Sequence, residues 1–300
     1  MSISVFANIK VDDIIRFERL KLSFESFKDY NFENWVINIR GLYRVKVSEY
    51  LKKNLLREKL EISTQENTDN WFLDTQKLFP KIKGDFIFLW NEDHINITDQ
   101  NNFNNIIQDI IDNKVDQFRY TWFHDGLDVK SAQLAGFSIG DRILFDNYTF
   151  KKHAKRIKLC KKLDLKSDIF IVSMTSIFKK TLFKKILFTD DPLIKRWNKN
   201  TPFDFEKCSY DIHWLPFKLA YPKKEFFASI DDNHGQKKYS LIERGLIDKN
   251  LGDKKIKKLK SRNITFKNLL FYPFRILKIF LRELINYMYA RIIYLGKKND

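Results

Sequence analysis

Short apolar runs alternate with amphipathic stretches along the first part of the chain. The runs rich in β-branched and aromatic residues predict strands at 3–9, 34–41, 60–64 and 85–90. The stretches between them, in which apolar residues recur at helical spacing, predict helices at 12–30, 47–59 and 66–84. A further helix and strand are predicted within 101–123. Because this alternation is typical of right-handed βαβ units, the predicted fold is α/β with a mostly parallel central sheet and flanking helices.

The fourth predicted strand ends in a polar cluster. Five apolar residues, FIFLW, are followed by Asn91, Glu92, Asp93 and His94. A continuous apolar run fits a strand buried on both faces, so the polar cluster begins where the strand leaves the core. Ligands of open parallel sheets bind outside the carboxyl ends of the strands, which makes this cluster a candidate ligand site. The ordinary alternative is a solvated loop, where these four residue types are common.

The order of these elements and the segment GDFIFLWNEDH resemble the nucleotide-sugar half of GT-A-type glycosyltransferases, above all the family-2-like group that builds bacterial surface polysaccharides. In that group the corresponding strand ends in a DxD-like acidic motif. The resemblance implies that Glu92 and Asp93 hold Mg²⁺ or Mn²⁺ against the donor diphosphate, with His94 as a nitrogen ligand. Asn91 replaces one acid of the motif, so the two neighbouring carboxylates reach one ion only if the chain turns there.

The resemblance also implies that polar residues near the strand ends contact the donor. These candidate donor-binding residues are Asn8, Asn38, Arg40, Asn67 and Asn91. The second predicted strand ends in NIRG, where many relatives place an acidic residue that holds uracil or ribose. Uridine as the donor base is therefore not supported.

Residues 124–247 are expected to form the acceptor-side half, after a donor half at 1–123. The segment DIFIVSMTSIFKKTLFKKILF, residues 168–188, predicts a strand, a small-residue turn and a basic amphipathic helix, as the same family has before its acceptor-side acid. That acid, the general base of the reaction, would be Glu206 or its neighbour Asp204. The alternative is a helix N-terminus in which acidic residues of the first turn serve stability alone.

The chain carries a formal charge of +17, and most of it lies in the predicted tail at 248–300. From Lys249 to Asp300 there are 14 Lys or Arg against 3 Asp or Glu, which leaves +6 for the rest. The tail has apolar residues at helical spacing beside a basic stripe, which predicts an amphipathic helix at an anionic membrane surface. The alternative is a terminal helix packed on the protein. Because the body is not notably basic, nucleic acid is not an expected partner.

Two functions from different classes follow from these observations. The first is a metal-dependent, hexosyltransferase-like glycosyltransferase that adds a sugar from a nucleotide-sugar donor to a lipid-linked or cell-surface glycan acceptor. The second is a non-enzymatic peripheral membrane or assembly protein. With Cys160 and Cys208 far apart and no export signal at the N-terminus, we expect a cytoplasmic location, peripheral at the inner face of the membrane.

Overall fold

The computed structural model describes residues 1–66, 70–119, 137–146, 175–188, 218–231 and 240–247. Several predictions lie outside the described residues: those for Asn67, Asp204, Glu206 and the tail at 248–300.

The described residues form eleven strands and five α-helices. The strands are β1 Ile3–Lys10, β2 Trp35–Arg40, β3 Leu60–Gln65, β4 Phe86–Leu89, β5 His94–Asn96, β6 Gln117–Phe118, β7 Phe137–Ile139, β8 Ile143–Asp146, β9 Ser176–Lys179, β10 Leu219–Pro222 and β11 Phe227–Ser229. The helices are α1 Ile14–Glu25, α2 Arg44–Asn54, α3 Trp71–Leu78, α4 Gln100–Asp112 and α5 Lys180–Phe188. Short 3-10 turns occupy Arg57–Lys59 and Phe79–Lys81.

Nine of these strands form one sheet in the order β3-β2-β1-β4-β9-β6-β10-β8-β7. The first four strands run parallel. β9 lies antiparallel between β4 and β6, whereas β6 and β10 are parallel and β8 and β7 continue antiparallel. The α/β fold with a central sheet and flanking helices is confirmed, but the sheet is mixed rather than mostly parallel.

The largest departure from the prediction is β9. Its sequence SIFK was predicted to follow a turn and begin a helix, but it forms a strand in the middle of the sheet, with Ile177 opposite Phe88. Ser176, Ile177 and Phe178 are all buried. Periodicity alone does not separate a short buried strand from a buried helical segment, which is why the pattern misled. The predicted helix begins only at Lys180.

Both faces of the sheet are covered. α1, α2 and α4 pack on one face, where Val5, Ala7 and Ile9 point, and α3 and α5 pack on the other, where Phe6 points. Burial on both faces explains why β1, β2 and β4 are nearly continuous apolar runs, whereas the edge strand β3, LEISTQ, is only half-buried and mixes apolar and polar residues. Among the helices of the described ranges, none combines the length and apolar character that crossing a bilayer requires.

Candidate functional site at the carboxyl edge of the sheet

The strand order reverses beside β1. The chain passes from β1 to β2 and β3 on one side and then returns to place β4 on the other side. A crevice outside the carboxyl ends of such strands is where open α/β sheets bind ligands. We call this region the carboxyl edge; it comprises residues 10–13, 40–41, 65–66 and 90–93, which end or follow the first four strands.

The loops of the carboxyl edge lie in direct contact at Gly41. This glycine has φ +92°, and a Cβ atom there would lie 2.5 Å from Oδ1 of Asp12 and 2.6 Å from the carbonyl oxygen of Val11. The amide of Gly41 also donates to the carbonyl of Glu66 at 3.2 Å. A side chain at this position would therefore separate the loops that follow β1, β2 and β3.

The end of β4 is fixed by its tryptophan. Trp90 is fully buried; its indole Nε1 donates to Oγ of Ser23 on α1 at 2.8 Å, and its amide donates to the carbonyl of Phe6 at 2.9 Å. The chain then turns at Glu92 and Asp93. This is the turn that two neighbouring carboxylates need if both are to face one ligand.

The start of α1 brings a cation to Glu92. Asp13 caps the helix by accepting from the amide of Arg16 at 2.7 Å. The guanidinium of Arg16 donates to the carbonyl of Lys10 at 2.9 Å, and its Nη1 lies 3.9 Å from Oε1 of Glu92. Lys10 itself pairs with Asp12 at 3.0 Å.

Glu92 and Asp93 are electrostatically different despite being neighbours. Burial raises the pKa of Glu92 to about 7, the negative charge of Asp93 adds to this rise, and Arg16 opposes it. Burial also works against ionisation of Asp93, but the charge and hydrogen bond of His94 outweigh it and lower the pKa of Asp93. One carboxyl group thus exchanges a proton near neutral pH, while its neighbour stays ionised.

His94 lies in β5, where it pairs with Ser229 of β11, and is 3% exposed. Its Nδ1 atom lies 2.5 Å from Oδ1 of Asp93. That ring nitrogen is therefore engaged with the carboxylate. The described residues bring together no group of three or more His, Cys, Asp or Glu side chains able to hold a metal ion.

Arg40, at the end of β2, is a buried cation whose Nε atom has no hydrogen-bond partner among the described residues. Its residue is 7% exposed, and its side chain forms no hydrogen bond or ion pair with the described residues. Burial lowers the pKa of Arg40, against the charges of Asp74, Glu92 and Asp12, which favour its protonated form. Three carboxylates from three elements therefore surround a guanidinium that none of them contacts directly.

A layer of polar side chains lies between β1, β2 and α3. Asn38 donates to Asn8 at 3.0 Å, and Asn8 donates to the carbonyl of Trp71 and the hydroxyl of Thr75 at 3.1 and 3.0 Å. Asn8 therefore ties β1 to α3. Within the described part of the chain, three buried oxygens of this region have no hydrogen-bond partner: Oδ1 of Asn38, Oε1 of Gln65 and Oδ2 of Asp74.

The structure thus brings together Arg40, Glu92 and Asp93 of the predicted site residues. Asn8 and Asn38 lie beneath them in the polar layer, and Asn91 follows β4, where its amide donates to Oγ1 of Thr175 at 3.3 Å. Sequence reasoning missed four charged residues that meet this group: Lys10, Asp12, Arg16 and Asp74. All four lie within a few residues of a strand end or a helix start, and this position is the sequence signal they share.

A cavity of about 380 Å³ opens at the opposite end of the strands, between the start of β1 and α4. Its titratable lining residues are Glu33 and Lys59, besides the N-terminal residue Met1, and Lys59 already donates to the carbonyl of Phe32 at 3.1 Å. The carboxyl edge brings together more charged side chains than the two that line this cavity, and they include the buried Arg40. The carboxyl edge is therefore the better candidate site.

No protein-family model and no curated protein matches the chain. Among solved structures, TarS 1-349 of S. aureus aligns with a TM-score of 0.46 and 12% identity, over 76% of this chain and 60% of that one. HddC from Yersinia pseudotuberculosis aligns with a TM-score of 0.38 and 13% identity, over 77% and 94%. The mannosyltransferase PcManGT from Pyrobaculum calidifontis, in complex with GDP-Man and Mn²⁺, gives 0.34 and 10%, over 62% and 46%. The chain thus spans less than two thirds of TarS 1-349, and similarity at these TM-scores is too slight to assign a function.

Proposed function

We propose that this chain is a glycosyltransferase that holds a nucleotide-sugar donor at the carboxyl edge. The observation that carries the proposal is Arg40, a buried guanidinium that forms no bond to the described residues. An unpaired buried charge is costly, and phosphate oxygens match the fork of donors that guanidinium presents. The diphosphate of a bound donor would supply a hydrogen-bonding partner for the guanidinium of Arg40.

The mixture of charges at this edge suits a diphosphate that is accompanied by a divalent cation. Arg40 and Arg16 would face phosphate oxygens, whereas Glu92 and Asp93 would hold Mg²⁺ or Mn²⁺, which commonly bind through one or two carboxylates together with substrate phosphates. The turn at these carboxylates and the ionised state of Asp93 fit this role. We assign His94 to holding Asp93 rather than to the ion.

When bound, the divalent ion would neutralise the charge that develops on the leaving diphosphate. Removal of the acceptor proton is proposed for Glu206, with Asp204 as its alternative, and donor contacts are proposed for Asn67 and Asn91. The proposed acceptor is a lipid-linked or cell-surface glycan. The basic tail at 248–300 would place the enzyme at the anionic inner face of the membrane.

The proposal is tested by titrating nucleoside diphosphates with Mn²⁺ into the full chain and its Arg40→Ala and Arg40→Lys variants, using calorimetry. Hydrogen bonds to charged groups contribute about 1.5 to 3 kcal/mol, so we expect Arg40→Ala to weaken binding by about 10- to 100-fold. Arg40→Lys should lose less, because it keeps the charge but not the planar fork.

A second readout separates ligand binding from structural support. Because Arg40 bonds to no described residue, the ligand-free Arg40→Ala protein should melt no lower than the wild type. Arg57→Ala, which changes an exposed arginine outside the carboxyl edge, serves as the control with unchanged affinity. Equal nucleotide affinity of folded Arg40→Ala and wild-type protein would contradict the proposal, and no nucleotide binding by either would favour the non-enzymatic alternative.

A further inference from the structure

Lysines gather at the opposite end of the same strands. We call this group the basic edge; its members are Lys83, Lys114, Lys179, Lys180, Lys185 and Lys218. β4, β6 and β10 begin here and the antiparallel β9 ends here, so four neighbouring strands each bring a lysine.

Hydrogen bonds hold these strand ends close together around Asp116. Its carbonyl accepts from the amide of Lys179 at 2.8 Å, and its Oδ2 accepts from the amide of Lys218 at 2.8 Å. The charge of Lys185 on α5 also acts on the same carboxyl group. The lysines of neighbouring strands therefore belong to one surface.

Most of the positive charge of the basic edge is uncompensated. Asp85 and Asp116 lie among the six lysines, and the half-buried Lys180 and Lys218 donate from their ammonium groups to the carbonyls of Ile82 and Asn113. Lys83, Lys114 and Lys185 are exposed and form no ion pair with the described residues. The ammonium of Lys179 comes only within 3.9 Å of Asp116 and keeps 48% of its side chain exposed.

An exposed aromatic ring borders these lysines. Phe188 at the end of α5 is 47% exposed and packs edge-on against Phe79, with 5.7 Å between the ring centroids. The ammonium of Lys180 lies over the same Phe79 ring at 5.7 Å. Cations beside an exposed aromatic side chain are typical of surfaces that rest on the headgroup region of a bilayer.

The chemistry of the basic edge favours one class of anionic partner. All six members of the basic edge are lysines. Lysine is a flexible point charge that suits mobile, varied headgroups as well as nucleic-acid phosphates, but the exposed ring of Phe188 beside these lysines suits the apolar boundary below a headgroup layer. An anionic lipid surface therefore fits this edge better than nucleic acid does.

We propose that the basic edge docks the protein onto an anionic lipid surface. This contact is independent of the donor site and separate from the predicted tail. β1, with 8 residues at about 3.3 Å each, spans about 26 Å, so the carboxyl edge lies roughly that far from the bilayer when the basic edge touches it.

The first test measures sedimentation of the full chain with vesicles of phosphatidylcholine containing phosphatidylglycerol, and with phosphatidylcholine alone. The variant Lys83→Glu/Lys114→Glu/Lys185→Glu reverses three exposed lysines of the basic edge. We expect its partition coefficient on the anionic vesicles to fall at least about tenfold, since each basic residue near such a surface contributes measurably to binding. Lys46→Glu/Lys52→Glu/Lys53→Glu on α2 makes the same change of net charge elsewhere and should lose less than about threefold.

The second test shows which edge of the protein faces the vesicle surface. In a background in which serine replaces Cys160 and Cys208, a polarity-sensitive dye is attached at Thr181→Cys beside the basic edge or at Val45→Cys near the carboxyl edge. Anionic vesicles should shift the emission of the first dye to the blue and leave the second unchanged. Any of three results would overturn the proposal. Both triple variants could lose partitioning onto anionic vesicles to the same extent, or the emission of the second dye alone could shift. The third is tighter binding of a duplex DNA than of the vesicles at equal salt.

Discussion

The two ends of the parallel strands carry charge in opposite ways. At the carboxyl edge, Arg40, Glu92 and Asp93 are wholly or partly buried and stand among charges of both signs. At the basic edge, four of the six lysines are exposed, and three of these, Lys83, Lys114 and Lys185, form no ion pair with the described residues. Burial makes a charge sensitive to its individual neighbours, so the first arrangement can select one ligand, whereas exposed charges act through their summed field and suit a broad, anionic surface.

The largest effect on the carboxyl edge is expected from Gly41→Ala. The residue has φ +92°, and the new Cβ would meet Asp12 and the carbonyl of Val11 at 2.5 and 2.6 Å. We expect about 2 to 4 kcal/mol of lost stability in urea unfolding, because backbone strain and steric overlap add. Separation of the loops should also weaken binding of a nucleoside diphosphate to the folded variant.

Gly84→Ala is the matched change at the other end of the strands. Its Cβ would lie 2.6 Å from the amide nitrogen of Ser4, but no positive φ is involved. This variant should lose stability without losing nucleotide affinity per folded molecule. If the two alanine variants bind nucleotide equally well, the contact between the loops at Gly41 does not shape the ligand site.

A smaller and pH-dependent effect is expected from Glu92→Gln. The pKa of Glu92 is raised to about 7, above its ordinary value near 4.5, so between these pH values the folded state holds a proton that the unfolded state has released. Wild-type stability should therefore fall as pH rises through this window and level off above it. The glutamine variant lacks this loss and should gain about 1 to 3 kcal/mol relative to wild type between pH 5 and pH 8.

Urea midpoints at the two pH values measure this difference, with the exposed Glu58→Gln as the control. A stability difference between Glu92→Gln and wild type that is the same at pH 5 and pH 8 would show that Glu92 does not titrate in this range.

The smallest effect is expected from Asp116→Asn at the basic edge. Burial raises the pKa of Asp116, although the amide of Lys218 and the surrounding lysines favour its charged form. The asparagine keeps an oxygen that can accept from Lys218, so stability should change by less than about 1 kcal/mol. One carboxylate fewer should increase partition onto anionic vesicles by about two- to fivefold.

Glu49→Gln on α2 makes the same change of net charge away from the basic edge. If it increases partition as much as Asp116→Asn does, the vesicles respond to the overall charge of the chain and not to the basic edge.

The parallel part of the sheet could be predicted from the sequence because its signals are local. β1, β2 and β4 are mainly apolar runs bounded by polar or turn residues, and the helices between the first four strands indicate that these strands pair in parallel, as they do. The helices are shorter than predicted: α1 ends at Glu25 rather than near residue 30, and α3 gives way to a 3-10 turn that contains Pro80. Such ends depend on capping and packing more than on periodicity.

The candidate site was only partly predictable from the sequence, because it also depends on residues that only the tertiary fold brings close. Asp93 and Glu92 stand out because they follow a buried strand, whereas Asp74 lies in the first turn of α3 and only the tertiary fold brings its charge near Arg40. The charge state of Glu92 likewise depends on burial and on Arg16, which lies far away in the sequence. Local spacing shows that such residues lie near the ends of elements, but not which of them come close in the fold.

The central position of β9 has a consequence for how the protein is made. β4 pairs with β1 on one side and β9 on the other, and among the described strands β9 alone links β6 to the first four. As synthesis proceeds from the N-terminus, the strand that carries the polar cluster has an open edge until Ser176–Lys179 has left the ribosome. A nascent chain halted after β4 but before β9 would expose the apolar pairing edge of β4, and unpaired apolar edges invite association with another chain. A chaperone that binds extended apolar segments would find its main target at β4.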